Sequence, residues 1–297
     1  MGLAELNLGR PADAEASFRR AIEARPDYPE ATLWLAVSLL TQGKTDEALR
    51  VSGQALAKQE TNDTRATFVR CLLSGATFEA DATLLDRLRR AVEEAWLQPY
   101  ELAPLCVSVI RVHPVLGPAI RRVSEQWLKA SAAQQHPVVA DTEIAATAEP
   151  LFKAYLEATP NCDIDVERFL TAMRAHLLDR ALNAENASPT LLNACAALAR
   201  QCFVNEYIFA EAPGETTRAM QIASIVQTAI RSGAELSPFR LAALAMYRPL
   251  ASLEDAEKLL RRDWPAPVAA LLRQQIDMDN AAAGGEIPVN FARMTRR

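Results

Sequence analysis

The sequence predicts an all-α protein in which helical repeats lead into an irregular, solenoid-like helical domain, and three observations carry that expectation. The first is a self-match at a spacing of 34 residues, in which Gly9, Ala14 and Ala21 fall in register with Gly43, Ala48 and Ala55. The second is composition. Half of the 297 residues are hydrophobic but only 6% are aromatic, and the dominance of Ala and Leu suits helices packed through small side chains better than sheets built on Val, Ile and Tyr. The third is that apolar residues recur at helical spacing along the rest of the chain, with Pro, Gly and Ser where helices would begin or end.

A period of 34 residues is that of the tetratricopeptide repeat, a pair of helices packed through small residues that buries its apolar face only against its neighbours. Ala14, Phe18, Ala21 and Pro26 take the small, aromatic, small and proline positions of a first repeat. That alignment places the start of the chain part-way through a first helix, with roughly six residues of the repeat missing. A second repeat runs from Pro29 to about Asn62, with Gly43 and Thr45 supplying its inner turn and helix cap. Residues 1–62 are thus expected to be repeats and 63–135 irregular helical pairs. Among the latter, Leu84, Leu88, Val92 and Trp96 line a helix that ends before Pro99, and further helices span about 100–112 and 118–134. Gln134-Gln-His-Pro137 reads as a linker. A second helical domain, 140–280, is expected to hold helices near 141–157, 163–183, 188–210, 216–231, 237–247, 253–262 and 266–279, with Ser188, Ser237 and Ser252 as N-caps. Residues 281–297 read as a flexible, linker-like tail ending in Arg296 and Arg297.

The net charge of −5 and pI near 5.4 argue against nucleic acid as a partner, because duplex binding requires several phosphates to be neutralised at once. No stretch approaches the ~20 apolar residues of a membrane span, and the first residues lack the basic and apolar regions of a signal peptide. The expectation is a cytoplasmic protein without a membrane partner. Five scattered cysteines, Cys71, Cys106, Cys162, Cys195 and Cys202, suit reduced thiols rather than a disulfide framework.

Signatures of chemistry are missing. There is no glycine-rich nucleotide loop, no Gly-x-Ser-x-Gly, no His-Glu-x-x-His and no Cys-x-x-Cys. The three histidines, His113, His136 and His176, do not form a metal motif, and no metal or catalytic residue is assigned. Two residue sets remain. In the repeats, the first helices would present Glu30, Leu33, Val37, Leu40 and Thr41, then Thr64, Thr67 and Cys71, as a mixed groove for a helix or an extended peptide; the competing reading is that these side chains only pack within the chain. In the second half, a helix through Gln201 would put Cys202 beside Glu206 and Gln201 beside Asn205. The competing reading there is a half-buried helix, since a carboxylate neighbour does not activate a thiol.

Several stretches together, namely the two repeats, Phe68-Val-Arg-Cys-Leu, Trp96-Leu-Gln-Pro-Tyr-Glu-Leu-Ala103, Glu167-Arg-Phe-Leu-Thr-Ala-Met-Arg174, Gln201-Cys-Phe-Val-Asn-Glu-Tyr-Ile-Phe209, Met246-Tyr-Arg-Pro-Leu250 and Trp264 through Gln275, resemble a group of bacterial fusion proteins. In that group tetratricopeptide repeats and a helical middle region precede a class I S-adenosylmethionine-dependent methyltransferase domain. The resemblance implies a recognition or regulatory arm, with no catalytic residue to carry over and no cofactor in this chain; S-adenosylmethionine would enter only with a methyltransferase domain supplied elsewhere. Two functions follow as expectations. The first is a scaffold binding a protein or peptide. The alternative is part of a methyltransferase with its site in residues 140–280, around Cys202, Asn205 and Glu206.

Overall fold

A computed structural model describes residues 1–183 and 186–277, and among these every regular element is helical. Packing divides the chain into two compact units, Met1–Cys106 and a second starting at Val107. The expected linker-like tail at 281–297 lies outside the described residues.

The first unit holds α1 (Gly2–Asn7), α2 (Pro11–Ala24), α3 (Pro29–Thr41), α4 (Thr45–Lys58), α5 (Asn62–Leu73), α6 (Ala82–Glu93) and the start of α7 (Pro99–Val112). From α1 to α5 each helix packs on the next, and α3 also touches α1 and α5. Contact between alternate helices is the mark of stacked repeats. Ala14, Ala48 and Ala55 have no exposed surface, so three of the four matched alanines sit where helices meet, while Ala21 is half-buried. Gly9 and Gly43 take φ values of 69° and 73° at the inner turns, a left-handed conformation that side chains resist. Gly2 lies so close to Phe18 that a Cβ there would stand 2.6 Å from the ring. Polar ties cross the stack: the Glu15 carboxylate of α2 accepts from Lys44 at 2.7 Å and from Gln42 at 2.8 Å. The Lys44 ammonium, followed by the Gln42 and Arg19 groups, overcomes partial burial and holds Glu15 at about 2.

The second unit continues with α8 (Leu116–Ala132), α9 (Asp141–Ala146), α10 (Pro150–Ala158), α11 (Ile164–Asn183), α12 (Pro189–Val204), α13 (Glu215–Ser232), α14 (Pro238–Leu244) and α15 (Ala266–Leu272). Its core forms around α11 and α12. The former packs on α8, α13 and α14, the latter on α10, α14 and α15. Phe169, Leu170, Met173, Leu177 and Leu178 of α11 are fully buried.

Four local expectations change. The helix expected over 141–157 is two helices, because Pro150 starts a new one whose free N–H groups, at Leu151 and Phe152, donate to the Glu149 carboxylate. The one expected over 188–210 stops at Val204, where Glu206 and Tyr207 take left-handed φ values of 52° and 61°. Over 253–262 the chain makes a 3-10 helix, Ala256–Arg261, and Ser252 is no cap: its hydroxyl donates to the Pro249 carbonyl and accepts from Arg248. The helix expected to include Trp96 ends at Glu93, with Ala95 at φ 51° turning the chain. Ser188 and Ser237 cap α12 and α14 as expected, accepting from Leu191 and Arg240 N–H.

Candidate functional site: the repeat stack and a buried polar cluster

In the repeat unit the expected groove residues separate into two sets. Glu30 and Thr41 are exposed on α3, and Val37 and Leu40 are half-buried beside them. Leu33 is buried, and so are Thr64, Thr67 and Cys71. The α5 residues are turned inward for identifiable reasons. Thr64 closes a capping box with Thr61 and gives its hydroxyl to the Gln59 carbonyl at 3.0 Å, and the Cys71 thiol faces the Ser52 hydroxyl of α4. The presented stripe therefore lies on α3 and includes a residue absent from the expected set. Trp34, half-buried, stands four residues from Glu30 and three from Val37. The 30-34-37-41 spacing was the available signal, and it was masked because Trp34 also fits a core position.

A depression of about 390 Å³ lies between α4, α5 and the chain entering α6, with Phe68, Phe78 and Leu84 among its walls. Gly53 in mid-α4 leaves room for Arg87, whose guanidinium covers the Phe68 ring at 5.4 Å and donates to the Gly53 carbonyl at 3.3 Å.

In the second unit the structure separates Cys202, Asn205 and Glu206. Cys202 lies inside α12 with no exposed surface, and burial, partly offset by the nearby Arg174 charge, pushes its thiol up to about 12. Asn205 is half-buried at the helix end and receives a hydrogen bond from the Gln201 amide at 3.1 Å, the one expected pairing that forms. Glu206 is exposed on the turn, off the helix face that Cys202 occupies. A thiol so placed is a packing residue rather than a nucleophile.

What sequence reasoning missed is a charged cluster that joins Arg174, Tyr247 and His136, each inside a stretch already noted for another reason, to Glu215. Arg174 of α11 and Glu215 at the first turn of α13 are 1% and 0% exposed and meet at 3.0 Å. Arg174 also donates to the Ala210 carbonyl at 2.8 Å, and its guanidinium lies over the Tyr247 ring at 4.5 Å. The Tyr247 hydroxyl donates to Glu215 Oε1 at 2.5 Å, while Oε2 accepts from Ala212 N–H at 2.9 Å and meets His136 Nε2 at 3.0 Å. Burial alone would raise the Glu215 pKa; the bonds from His136, Arg174, Tyr247 and Ala212 outweigh it and hold the carboxyl at about 2. Burial pushes the Tyr247 hydroxyl the other way, upward. His136, expected in a linker, is thus an interior residue of the second unit. Among the described residues no three His, Cys, Asp or Glu side chains converge as metal ligands.

Stacked helices with small residues at their crossings, continued by an irregular helical unit, define a helical-repeat protein. Residues 1–63 match the tetratricopeptide repeat family, whose members are generally protein-interaction modules. No curated protein and no solved structure matches the chain. No single helix among the described residues is long and apolar enough to cross a membrane; the bent pair formed by α7 and α8 reaches that composition, with Leu102, Cys106, Ile110, Ile120 and Val123 buried inside the protein.

Proposed function

We propose that this chain is a protein-binding scaffold that holds a helix or an extended segment of another protein against the α3 stripe. The observation that carries this reading is a half-buried tryptophan, Trp34, presented between Glu30, Val37 and Thr41 within the segment that matches the repeat family. An aromatic anchor with an apolar flank and a polar rim is the composition at which binding energy concentrates. In the fuller form of this reading the chain is the cytoplasmic, non-catalytic arm of a methyltransferase system. It holds no methyl donor itself, and S-adenosylmethionine enters with a catalytic domain supplied elsewhere. The order of the stretches from Phe68 to Gln275 supports that form.

The enzymatic alternative, a methyltransferase site around Cys202, Asn205 and Glu206, has the full burial of Cys202 against it. To test the scaffold, a photo-crosslinking residue is placed in cells at position 37 and, as control, at Met220, which is 66% exposed on α13. A protein adduct specific to position 37 that disappears in W34A, with helicity unchanged by circular dichroism, is expected. Equal adducts at both positions, or persistence in W34A, overturns the assignment of the surface. Saturable binding of radiolabelled S-adenosylmethionine to the purified chain would favour the enzymatic alternative.

A further inference from the structure

Away from both regions, α8 faces the start of α11 across a pocket of about 360 Å³, within the size range of small-ligand sites of about 300–1,000 Å³. Two arginines, Arg111 and Arg121, line it together with Ser124, Glu125 and Asp165. Asp165, on the wall, and Asp163, two residues before it, already have partners. Arg111 donates one nitrogen, Nη2, to Asp163 at 2.8 Å and to Asp165 Oδ2 at 3.0 Å, and the other Asp165 oxygen accepts from the Ser124 hydroxyl at 2.5 Å. The Ser124 bond, with Arg111 and Arg168 behind it, holds Asp165 below the usual carboxylate range against the effect of burial. Behind this group Arg168 donates to Ser124 at 2.9 Å, while its own Nε is buried without a hydrogen-bond partner.

The donors are in excess. Among the described residues Arg111 makes no hydrogen bond through Nε or Nη1, and Arg121 makes no hydrogen bond or ion pair at all. A guanidinium presents its N–H groups as a planar fork that fits two oxygens of a phosphate or carboxylate, and bonds of this charge-assisted kind are the strong ones. We propose that this pocket binds a small oxyanion, a phosphate or carboxylate group, held between Arg121 and the free N–H edge of Arg111. A net charge of −5 repels anions at long range, so the affinity comes from this local pair of forks. Glu125, which is also unpaired among the described residues, opposes a plain anion from the same wall and limits the charge the pocket accepts.

The test is thermal unfolding of the full chain titrated with inorganic phosphate or with acetate at constant ionic strength, with chloride as the reference. Expected is a saturable rise in Tm with one of the two anions and none with chloride. R121Q should leave the unliganded Tm unchanged, because Arg121 has no partner to lose, and should weaken the anion about tenfold. E125Q should tighten it about twofold. The stronger of phosphate and acetate assigns the oxyanion. Absence of a saturable shift with both anions, or a shift untouched by R121Q, overturns the proposal.

Discussion

Glu215 is fully buried and ionised, which is tolerable only because each carboxylate oxygen has two partners: Arg174 and Tyr247 on one, His136 and Ala212 N–H on the other. Removing Arg174 would leave that charge uncompensated. R174M is therefore expected to destabilise the second unit by about 3–5 kcal/mol in urea unfolding followed by circular dichroism, and R174M/E215M to lose markedly less than R174M alone. The pH dependence follows from direction. The folded-state pKa of Glu215, about 2, lies below its ordinary value of 4.5, so its stabilisation is complete above that ordinary value and is lost as pH falls through the interval between them. E215Q should flatten the stability curve of the second unit across this interval; an unchanged slope would remove Glu215 as its source. Little of this was visible in the sequence. Arg174 sits in an apolar run as any solvated arginine might, and its partners come from three separate segments, so no spacing rule joins them.

Helices were legible where a local signal decides the outcome and illegible where a tertiary contact does. Ser188-Pro189 and Ser237-Pro238 combine a capping hydroxyl with a pre-set first turn, and both begin helices. Ser252 offers the same hydroxyl without the proline, and that hydroxyl is occupied by Pro249 and Arg248, while the segment beyond tightens into 3-10 geometry. The run through Gln201 carries Tyr207, Ile208 and Phe209 beyond Val204 at helical spacing, but Asn205-Glu206 interrupts it and the left-handed backbone of Glu206 and Tyr207 ends the helix there. At the bend between α7 and α8, Gly117 is fixed by packing: a Cβ would stand 2.2 Å from the Arg111 carbonyl oxygen, a backbone atom that cannot swing aside. G117A is expected to lower stability by about 1–3 kcal/mol despite its better helix propensity, as read from the shift in the urea midpoint. No loss would show that the bend relaxes freely.

At the scale of the whole chain the all-α class and the repeat character of the first residues were legible, because a 34-residue period fixes which small residues meet. The second unit has no period, so its order around α11 and α12 could not be deduced from helix propensity. The presented face of the repeats was half legible. Positions on α3 follow the period, whereas Thr64 and Cys71 are recruited by α4 and the turn before α5, contacts that periodicity does not encode.

The cluster at Glu215 also bears on how long the folded chain survives. Its imidazole comes from 79 residues away and its arginine from 41, so these bonds close large loops and are expected to form after most apolar surface is already buried. Interactions made that late act on escape from the native state rather than on reaching it. H136A should accelerate unfolding in stopped-flow denaturant jumps while leaving the refolding rate nearly unchanged. The persistence of the second unit then depends on an imidazole donated by the connection between α8 and α9.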